Sequence, residues 1–289
     1  MLRGALKKLL GLTLLMLMVF SLSIPAYAAG EITGNNSFET AYAAGNWKYS
    51  NMSTTILPAN NTEAYYTFTA NAGDKVYARS SYQSQYAGMK IEILDTNRVP
   101  ISEGTLVVDP NSLIPFIFAN ANASSSPQTF YIRVSRGSYT GDMYFTVSIL
   151  DRIKLGSGKF NFSGSAVNAG NVNLNPAGVD SSVITMDLTN NNTIPKYAIL
   201  KSVTTSGTQS PSQGNVHHKI MGEQTGIWYT STVSSATSGS YAISLQNQLN
   251  VAKKWDFKYN AMATARSTMS NVSATINYQY DATDQFSYQ

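Results

Sequence analysis

The sequence predicts an all-β protein of two β-sandwich or jelly-roll-like domains in tandem, preceded by a cleaved signal peptide. Three observations carry this expectation. Apolar and polar residues alternate with period two along most of the chain, as in strands with one face in a core and one in water. Short runs of aromatic and β-branched residues are separated by clusters of Gly, Asn, Ser and Asp, which tolerate turn backbones. With 289 residues the chain exceeds one typical domain, so two cores are expected, one in 29–150 and one in 159–289.

Residues 1–28 have the three parts of a secretory leader. Arg3, Lys7 and Lys8 form a basic start, Leu9 to Leu22 an apolar run, and Ala26-Tyr27-Ala28 a small-residue cleavage site before Ala29. The run is short for a spanning helix and ends at Pro25. A secreted, extracellular protein cleaved after Ala28 and not inserted in the membrane is therefore expected. The formal charge of +4 shrinks once the three leader cations are removed, so nothing argues for nucleic acid as a partner. Charged residues make up only 12% of the chain, and neutral polar residues suit the solvated faces of extracellular strands. Cysteine is absent, which excludes disulfides, thiol nucleophiles and thiolate zinc sites.

The first half is organised around 63–95. Tyr65 to Thr69 reads as a strand, Asn71-Ala72-Gly73-Asp74 as a tight turn closing a β-hairpin, and Lys75 to Ser80 as the returning strand. Met89, Ile91 and Ile93 then alternate with Lys90 and Glu92; Leu106 to Val108 and Ile114 to Phe118 are short apolar runs. Phe130, Ile132 and Val134, and later Phe145, Val147 and Ile149, complete the pattern. Upstream, Ser37 to Ala43 is compatible with a helical turn capped by Asn36 or Ser37.

The Tyr-Tyr-Thr-Phe-Thr-Ala-x-Ala-Gly-Asp run at Tyr65 to Asp74, with Asn36-Ser37-Phe38-Glu39-Thr40-Ala41 before it and Phe130 to Val134 after it, resembles the bacterial pre-peptidase C-terminal domain. The resemblance covers about 36–150. It implies a small β-sandwich with an accessory role, either binding extracellular polymer or supporting export, and it implies that Phe38 and Ala41 pack across the end of the core. Where members of that family often carry aspartate, this chain has Ala64, Gly88 and Lys90, so a calcium site is not carried over with the resemblance.

Asp151 to Gly158 combines charge with Gly and Ser and reads as the linker. Beyond it, Ile184 to Leu188, a run with Tyr197, Ile199 and Val203 on one face, His217 to Met221, Ile227 to Val233 and Tyr241 to Leu245 read as strands. Trp255, Phe257 and Tyr259 share a face, Ala261 to Ala265 is compatible with a helical turn, and Val272 to Tyr280 is the clearest strand of all. No family resemblance emerges for 159–289.

Catalytic motifs are scarce. The sequence has no Gly-x-Ser-x-Gly and no His-Glu-x-x-His. His217 and His218 are its two histidines; on a strand they point to opposite faces, so at most one serves a given site, and an ordinary strand pair beside Lys219 explains them. Asp180, Asp187, Glu223, Asp256, Asp281 and Asp284 are scattered near turns or on polar faces, where solvation accounts for them. Asp281-Ala282-Thr283-Asp284 lacks the spacing of an EF-hand loop, which leaves calcium open only through ligands from separate loops.

Aromatic side chains give the functional expectation, because planar rings on an open face bind sugar rings or extended chains without catalysis. The candidates are Tyr82 and Tyr86, expected to be exposed among Ser81, Gln83, Ser84 and Gln85, together with Trp228, Tyr229, Trp255 and Tyr259, although period-two aromatics also build cores. The expected function is non-enzymatic recognition of an extracellular polysaccharide, cell wall or matrix protein, with no cofactor beyond that open calcium site. The alternatives are a hydrolase whose carboxylates converge in the second domain and a self-assembling surface or toxin-like protein.

Overall fold

The computed structural model describes residues 30–108, 115–233 and 235–287; the expected leader and its cleavage site lie outside the described residues. In the first half the strands are β1 (Tyr42–Asn46), β2 (Thr54–Leu57), β3 (Glu63–Ala70), β4 (Lys75–Ser81), β5 (Lys90–Leu94), β6 (Pro100–Glu103), β7 (Thr105–Val107), β8 (Phe116–Asn122), β9 (Gln128–Ser135) and β10 (Met143–Asp151). In the second they are β11 (Ile153–Asn161), β12 (Ala166–Asn168), β13 (Val179–Asp180), β14 (Ile184–Asp187), β15 (Ile199–Ser210), β16 (Val216–Gly222), β17 (Trp228–Thr230), β18 (Ser238–Ser240), β19 (Lys254–Ala261) and β20 (Ser267–Asp281). The fold is all-β. Its helical segments among the described residues are short 3-10 turns, so no helix there is long and apolar enough to cross a membrane.

Among the described residues four sheets form, two in each half. The order β1-β3-β9-β5-β6 faces β2-β10-β4-β8-β7 across one core; β11-β20-β15-β18, with β12 also on β20, faces β13-β19-β16-β17, with β14 also on β19, across the other. Alternation explains the layers. Tyr66 and Phe68 of β3, Ile91 and Ile93 of β5, Val76 and Ala78 of β4 and Phe145 and Val147 of β10 meet in the first core. Trp255, Phe257 and Tyr259 of β19 meet Ala274, Ile276 and Tyr278 of β20 in the second. Burying one such large apolar side chain contributes about 2 kcal/mol relative to exposure.

Several expectations are corrected. Asn71 to Asp74 does turn, with Gly73 at φ 86 and Asn71 N–H donating to Asp74 Oδ2 at 2.8 Å. It does not close a hairpin, however: β3 and β4 belong to different sheets, so the turn carries the chain across the core, and both strands point their apolar side chains into it. Ser37 to Thr40 forms one turn held by the Thr40 hydroxyl, which accepts from Ser37 N–H at 3.1 Å, and β1 begins at Tyr42. Phe38 lies on the solvent side of its sheet, 4.3 Å from the Tyr65 ring and beneath the Arg98 guanidinium, because Tyr65 and Tyr131 point away from the core that Tyr66 and Phe130 fill.

In the second half Tyr197 lies in the loop before β15, Tyr241 to Ser244 is irregular, and 262–265 is a non-helical connection. The expected linker is strand instead. β11 pairs with β20 along its whole length, from Ile153 opposite Asp281 to Asn161 opposite Ser273, leaving only Arg152 between β10 and β11. Glycines suit this strand because Tyr278 and Phe160 lie over Gly156 and Gly158, where a side chain would collide with their rings.

Arg152 is fastened to both halves. Its N–H donates to Lys75 O at 2.9 Å and its carbonyl accepts from Ala282 N–H at 2.7 Å. Its Nε donates to Asp281 Oδ2 at 3.0 Å and Nη1 to Asn122 Oδ1 at 3.1 Å. The C-terminal segment reinforces the junction: Phe286 places its ring edge-on to Tyr77, Phe116 and Phe118 of the first half, at 5.7, 5.2 and 5.1 Å. Phe286→Ala is expected to remove about 2 kcal/mol of this coupling, seen in calorimetry as a lower and broader transition and in limited proteolysis as faster cutting after Asp281. An unchanged melt and cutting rate would show that the ring cluster does not join the halves.

Candidate functional site

The six predicted aromatic contacts separate by burial. Trp255 and Tyr259 fall on the core side of β19 and are 2% and 0% exposed. Trp255 Nε1 donates to Val251 O at 3.0 Å, and the Tyr259 and Ser267 hydroxyls are 2.9 Å apart. Tyr86 contradicts the expected exposed loop pair, at 1% exposure. The 3-10 turn Ser84–Tyr86 directs it inward, where its hydroxyl accepts from Tyr144 N–H at 3.0 Å and its ring meets Tyr139. Tyr82 is half-buried against the same core, and Tyr229 against the other. The pattern that suggested these residues is that of core and rim.

Trp228 is placed differently. Register sets Trp228 opposite Met221 and Thr230 opposite Lys219, on the outer side of the sheet. Lys258 Nζ stands 4.2 Å from the indole centroid and 2.7 Å from Asp180 Oδ2. Lys219 Nζ and Asn260 Nδ2 each lie 2.8 Å from Asp180 Oδ1. Burial pushes the Asp180 carboxyl up, but the two ammonium groups and the amide outweigh it and hold it down to about 2. The result is a satisfied polar network with an ammonium over the indole, not an open aromatic platform.

A groove at the junction of the two halves has the features of a site that the Trp228 face lacks. Its cavity, about 280 Å³, is walled by Lys75 of the first half and by Tyr197, Leu245, Gln248, Gln279 and Asp284 of the second. Tyr197 is 72% exposed. Tyr197 and Gln248 both hold left-handed backbone, at φ 58 and φ 46, a costly conformation for residues with a side chain that persists where surrounding structure enforces it and that clusters at functional sites. The asparagine-rich run before Ile194-Pro195 is loop chemistry, and reading that loop on to Ala198 is the signal that would have exposed Tyr197.

Two carboxylates border this groove with opposite tendencies. Burial pushes Asp281 up, but the Arg152 guanidinium and the Thr283 hydroxyl and N–H hold it below its ordinary range. Burial and the Asp281 charge raise Asp284, against the pull of Arg152. Both Asp281 oxygens are engaged, Oδ2 by Arg152 and Oδ1 by Thr283 N–H at 2.9 Å, which directs its charge into the junction and not toward a substrate.

The remaining candidates are tied up elsewhere. Asp256 accepts from the Thr185 hydroxyl at 2.7 Å; Asp187 pairs with Lys254 and Glu223 with Lys253. His218 is fully buried, its Nδ1 2.8 Å from Thr205 Oγ1, while His217 is half-exposed on the opposite face. Among the described residues no three His, Cys, Asp or Glu side chains gather as a metal site.

No family model matches the chain. Among solved structures, it is similar to the pre-peptidase C-terminal domain of collagenase from Bacillus anthracis, at 19% identity over 38% of this chain and 94% of that one, with a TM-score of 0.28. It is also similar to a Eubacterium rectale protein thought to be secreted, at 10% identity over 87% of this chain and 85% of that one, with a TM-score of 0.37. The uncharacterized protein YbdN of Bacillus subtilis (strain 168) is 60% identical over 270 residues, which cover 93% of this chain and 95% of YbdN. With that identity sustained over nearly the whole of both chains, this protein belongs to the same family as YbdN.

Proposed function

We propose that this protein is a secreted, non-enzymatic binding protein that holds an extracellular polysaccharide in the groove between its two sandwiches. The observation that carries the reading is Tyr197, a ring 72% exposed on enforced left-handed backbone at the mouth of that groove. A sugar ring stacks on such a surface through its apolar face, and Gln248, Gln279 and Asp284 set hydrogen-bonding groups beside it. In this reading the first half is a pre-peptidase C-terminal-type accessory module, on the strength of the Tyr65 to Asp74 run, and the 1–28 leader delivers the chain to the cell wall or matrix where such polymers occur. The binding requires no cofactor.

A hydrolase is the second reading, favoured by the Asp281 and Asp284 pair, since carboxylates driven apart in protonation are what glycoside hydrolysis uses. The full engagement of Asp281 weighs against it.

The test incubates purified residues 29–289 with insoluble polysaccharides, peptidoglycan and collagen, with calcium and with a chelator. Retention on a polysaccharide without soluble product is expected, unchanged by chelation, and Tyr197→Ala should weaken it about tenfold, or about 1.4 kcal/mol, without lowering Tm. No retention on any polysaccharide, or equal retention of Tyr197→Ala, would sink the reading. Release of reducing ends would move it to the hydrolase.

A further inference from the structure

The junction groove does not end at Gln279. That residue pairs with Leu155 of β11 and Ile199 of β15, and the next outward row, Ser157, Asn277 and Ser202, lines a second cavity of about 600 Å³ on the same side of the sheet. Leu155, 65% exposed, lines this second cavity and pairs with Gln279 of the junction groove, so the two cavities are neighbours along the sheet. From there the outer side of the sheet continues in register. Thr275 is flanked by Lys159 and Thr204, and Ser240 lies beyond Thr204. Ser273 is flanked by Asn161 and Ser206, and Ser238 lies beyond Ser206. Thr208 pairs with Ser270 and Ser210 with Thr268. The inner side of the same strands faces the core, so this alternation leaves the middle of the outer face to hydroxyls and amides, with Lys159 at its edge.

From Gln279 to Thr268 this track is about 35 Å long at the ordinary rise of a strand. Charge enters it only through Lys159 and the bulged Lys201. Neighbouring groups already touch, with Ser206 and Ser273 hydroxyls 2.9 Å apart and Asn277 Nδ2 donating to Ser202 Oγ at 2.8 Å. Ser273 is buried beneath Ser206, whereas Thr204, Ser206, Thr208 and Asn277 are exposed and keep further donor or acceptor capacity toward solvent. Apolar side chains enter the track only at its ends, Leu155 and Ile199 beside Gln279 and Val167 beside Thr268, so its middle has no apolar centre of the kind a protein partner needs, and a polyanion would need clustered cations.

We infer that the ligand is an uncharged, extended polysaccharide chain, which enters at the junction groove and lies along the outer face of β20 and β15. This rests on the groove reading above. A net hydrogen bond in water is worth only about 1 kcal/mol, so a face of hydroxyls binds usefully when many sugar units engage at once. Affinity should therefore climb with chain length, and it should be nearly independent of salt.

The experiment is calorimetry of residues 29–289 with neutral cello-, chito- and xylo-oligosaccharides, short and long, and with polygalacturonate as the anionic arm, each at low and high salt. For one neutral series, long chains are expected to bind about tenfold tighter than short ones. Thr204→Ala/Thr275→Ala should remove that gain while leaving short-chain binding intact, whereas Tyr197→Ala should weaken both. Weak short-chain binding unaffected by Tyr197→Ala would sink the groove reading itself. With the groove upheld, the track inference is overturned by affinity independent of length, by tightest and salt-sensitive binding of polygalacturonate, or by a dimer through this face that the double variant dissolves. The length dependence of the unaltered protein is decisive even if the double variant folds poorly.

Discussion

Arg136→Met is expected to destabilise the first sandwich by about 4 kcal/mol, among the largest effects of any single substitution here. Arg136 is 7% exposed and has no carboxylate partner among the interactions described. Its guanidinium instead donates to carbonyls: Nε to Asn61 at 2.6 Å, Nη1 to Tyr139 at 2.9 Å and Gly141 at 2.8 Å, and Nη2 to Leu57 and Pro58. Those carbonyls belong to the exit from β2 and to the turn before β10, two antiparallel strands that pair with each other, so one side chain clamps both strands at the end where Leu57 faces Met143. Methionine fills similar space but has no N–H to donate to the carbonyls, leaving them buried without donors. Arg136→Lys should retain part of the stability, because an ammonium reaches fewer carbonyls than the planar fork. Urea denaturation of both variants measures the difference. A loss under about 1 kcal/mol for methionine would mean that water satisfies the carbonyls and that Arg136 does not tie the turn.

Arg136 also shows where sequence reading loses information. Its neighbours Gly137 to Asp142 look like an ordinary turn, and Gly137, at φ 70, does turn. What the sequence hides is that this turn packs on the backbone of Ala87 to Met89 so closely that a side chain at 137 would collide with it. Strands with alternating apolar residues were legible: β5, β9, β10, β14, β16, β19 and β20 lie where periodicity puts them. The misread strands lack that contrast. β11 has glycine at two inward positions, and β15 buries Thr205 and Gln209 beyond Val203, so the apolar alternation is broken in both and pairing with β20 fixes them. The pairing of β3 with β9 and not with β4 is a tertiary choice that a good turn signal cannot reveal.

The candidate site was less legible than the fold for a related reason. Aromatic residues in strands were visible, but their alternation is what buries Trp255 and Tyr259. Tyr197 escaped notice because a plausible strand register absorbed it, and Leu155 because it sat in an apparent linker. The hydroxyl track is built from residues that look like solvated filler one strand at a time. Only the register of β11, β20, β15 and β18 assembles them into a surface.

Acidification from pH 6.5 to 4 is expected to remove about 3 kcal/mol from the second sandwich through His218 alone. The imidazole lies at 0% exposure between the sheets, edge-on to Phe257, with Thr205 Oγ1 at 2.8 Å and the Tyr241 hydroxyl 3.2 Å beyond it. β18 comes so near that a side chain at Gly239 would meet His218, Thr205 and Ser231. Among the described residues Nε2 and Ser231 Oγ make no well-formed hydrogen bond, so a second proton is favoured only weakly, by the Ala236 carbonyl. Burial lowers the imidazole from 6.5 to about 4; the Ala236 carbonyl opposes this and the neighbouring His217 adds to it. Between those values the unfolded chain carries the proton and the folded chain does not. Stability is therefore full above 6.5 and falls as pH drops toward 4. Asp180 acts in a lower window, since its depressed carboxyl contributes above 3.8 and loses that contribution as pH falls toward 2. The slope between pH 6.5 and 4.5 accordingly reports His218. Urea midpoints across that range should fall for the native protein and stay nearly flat for His218→Gln, which keeps an amide near Thr205 but does not titrate. A slope that survives the substitution would place the acid sensitivity in another group.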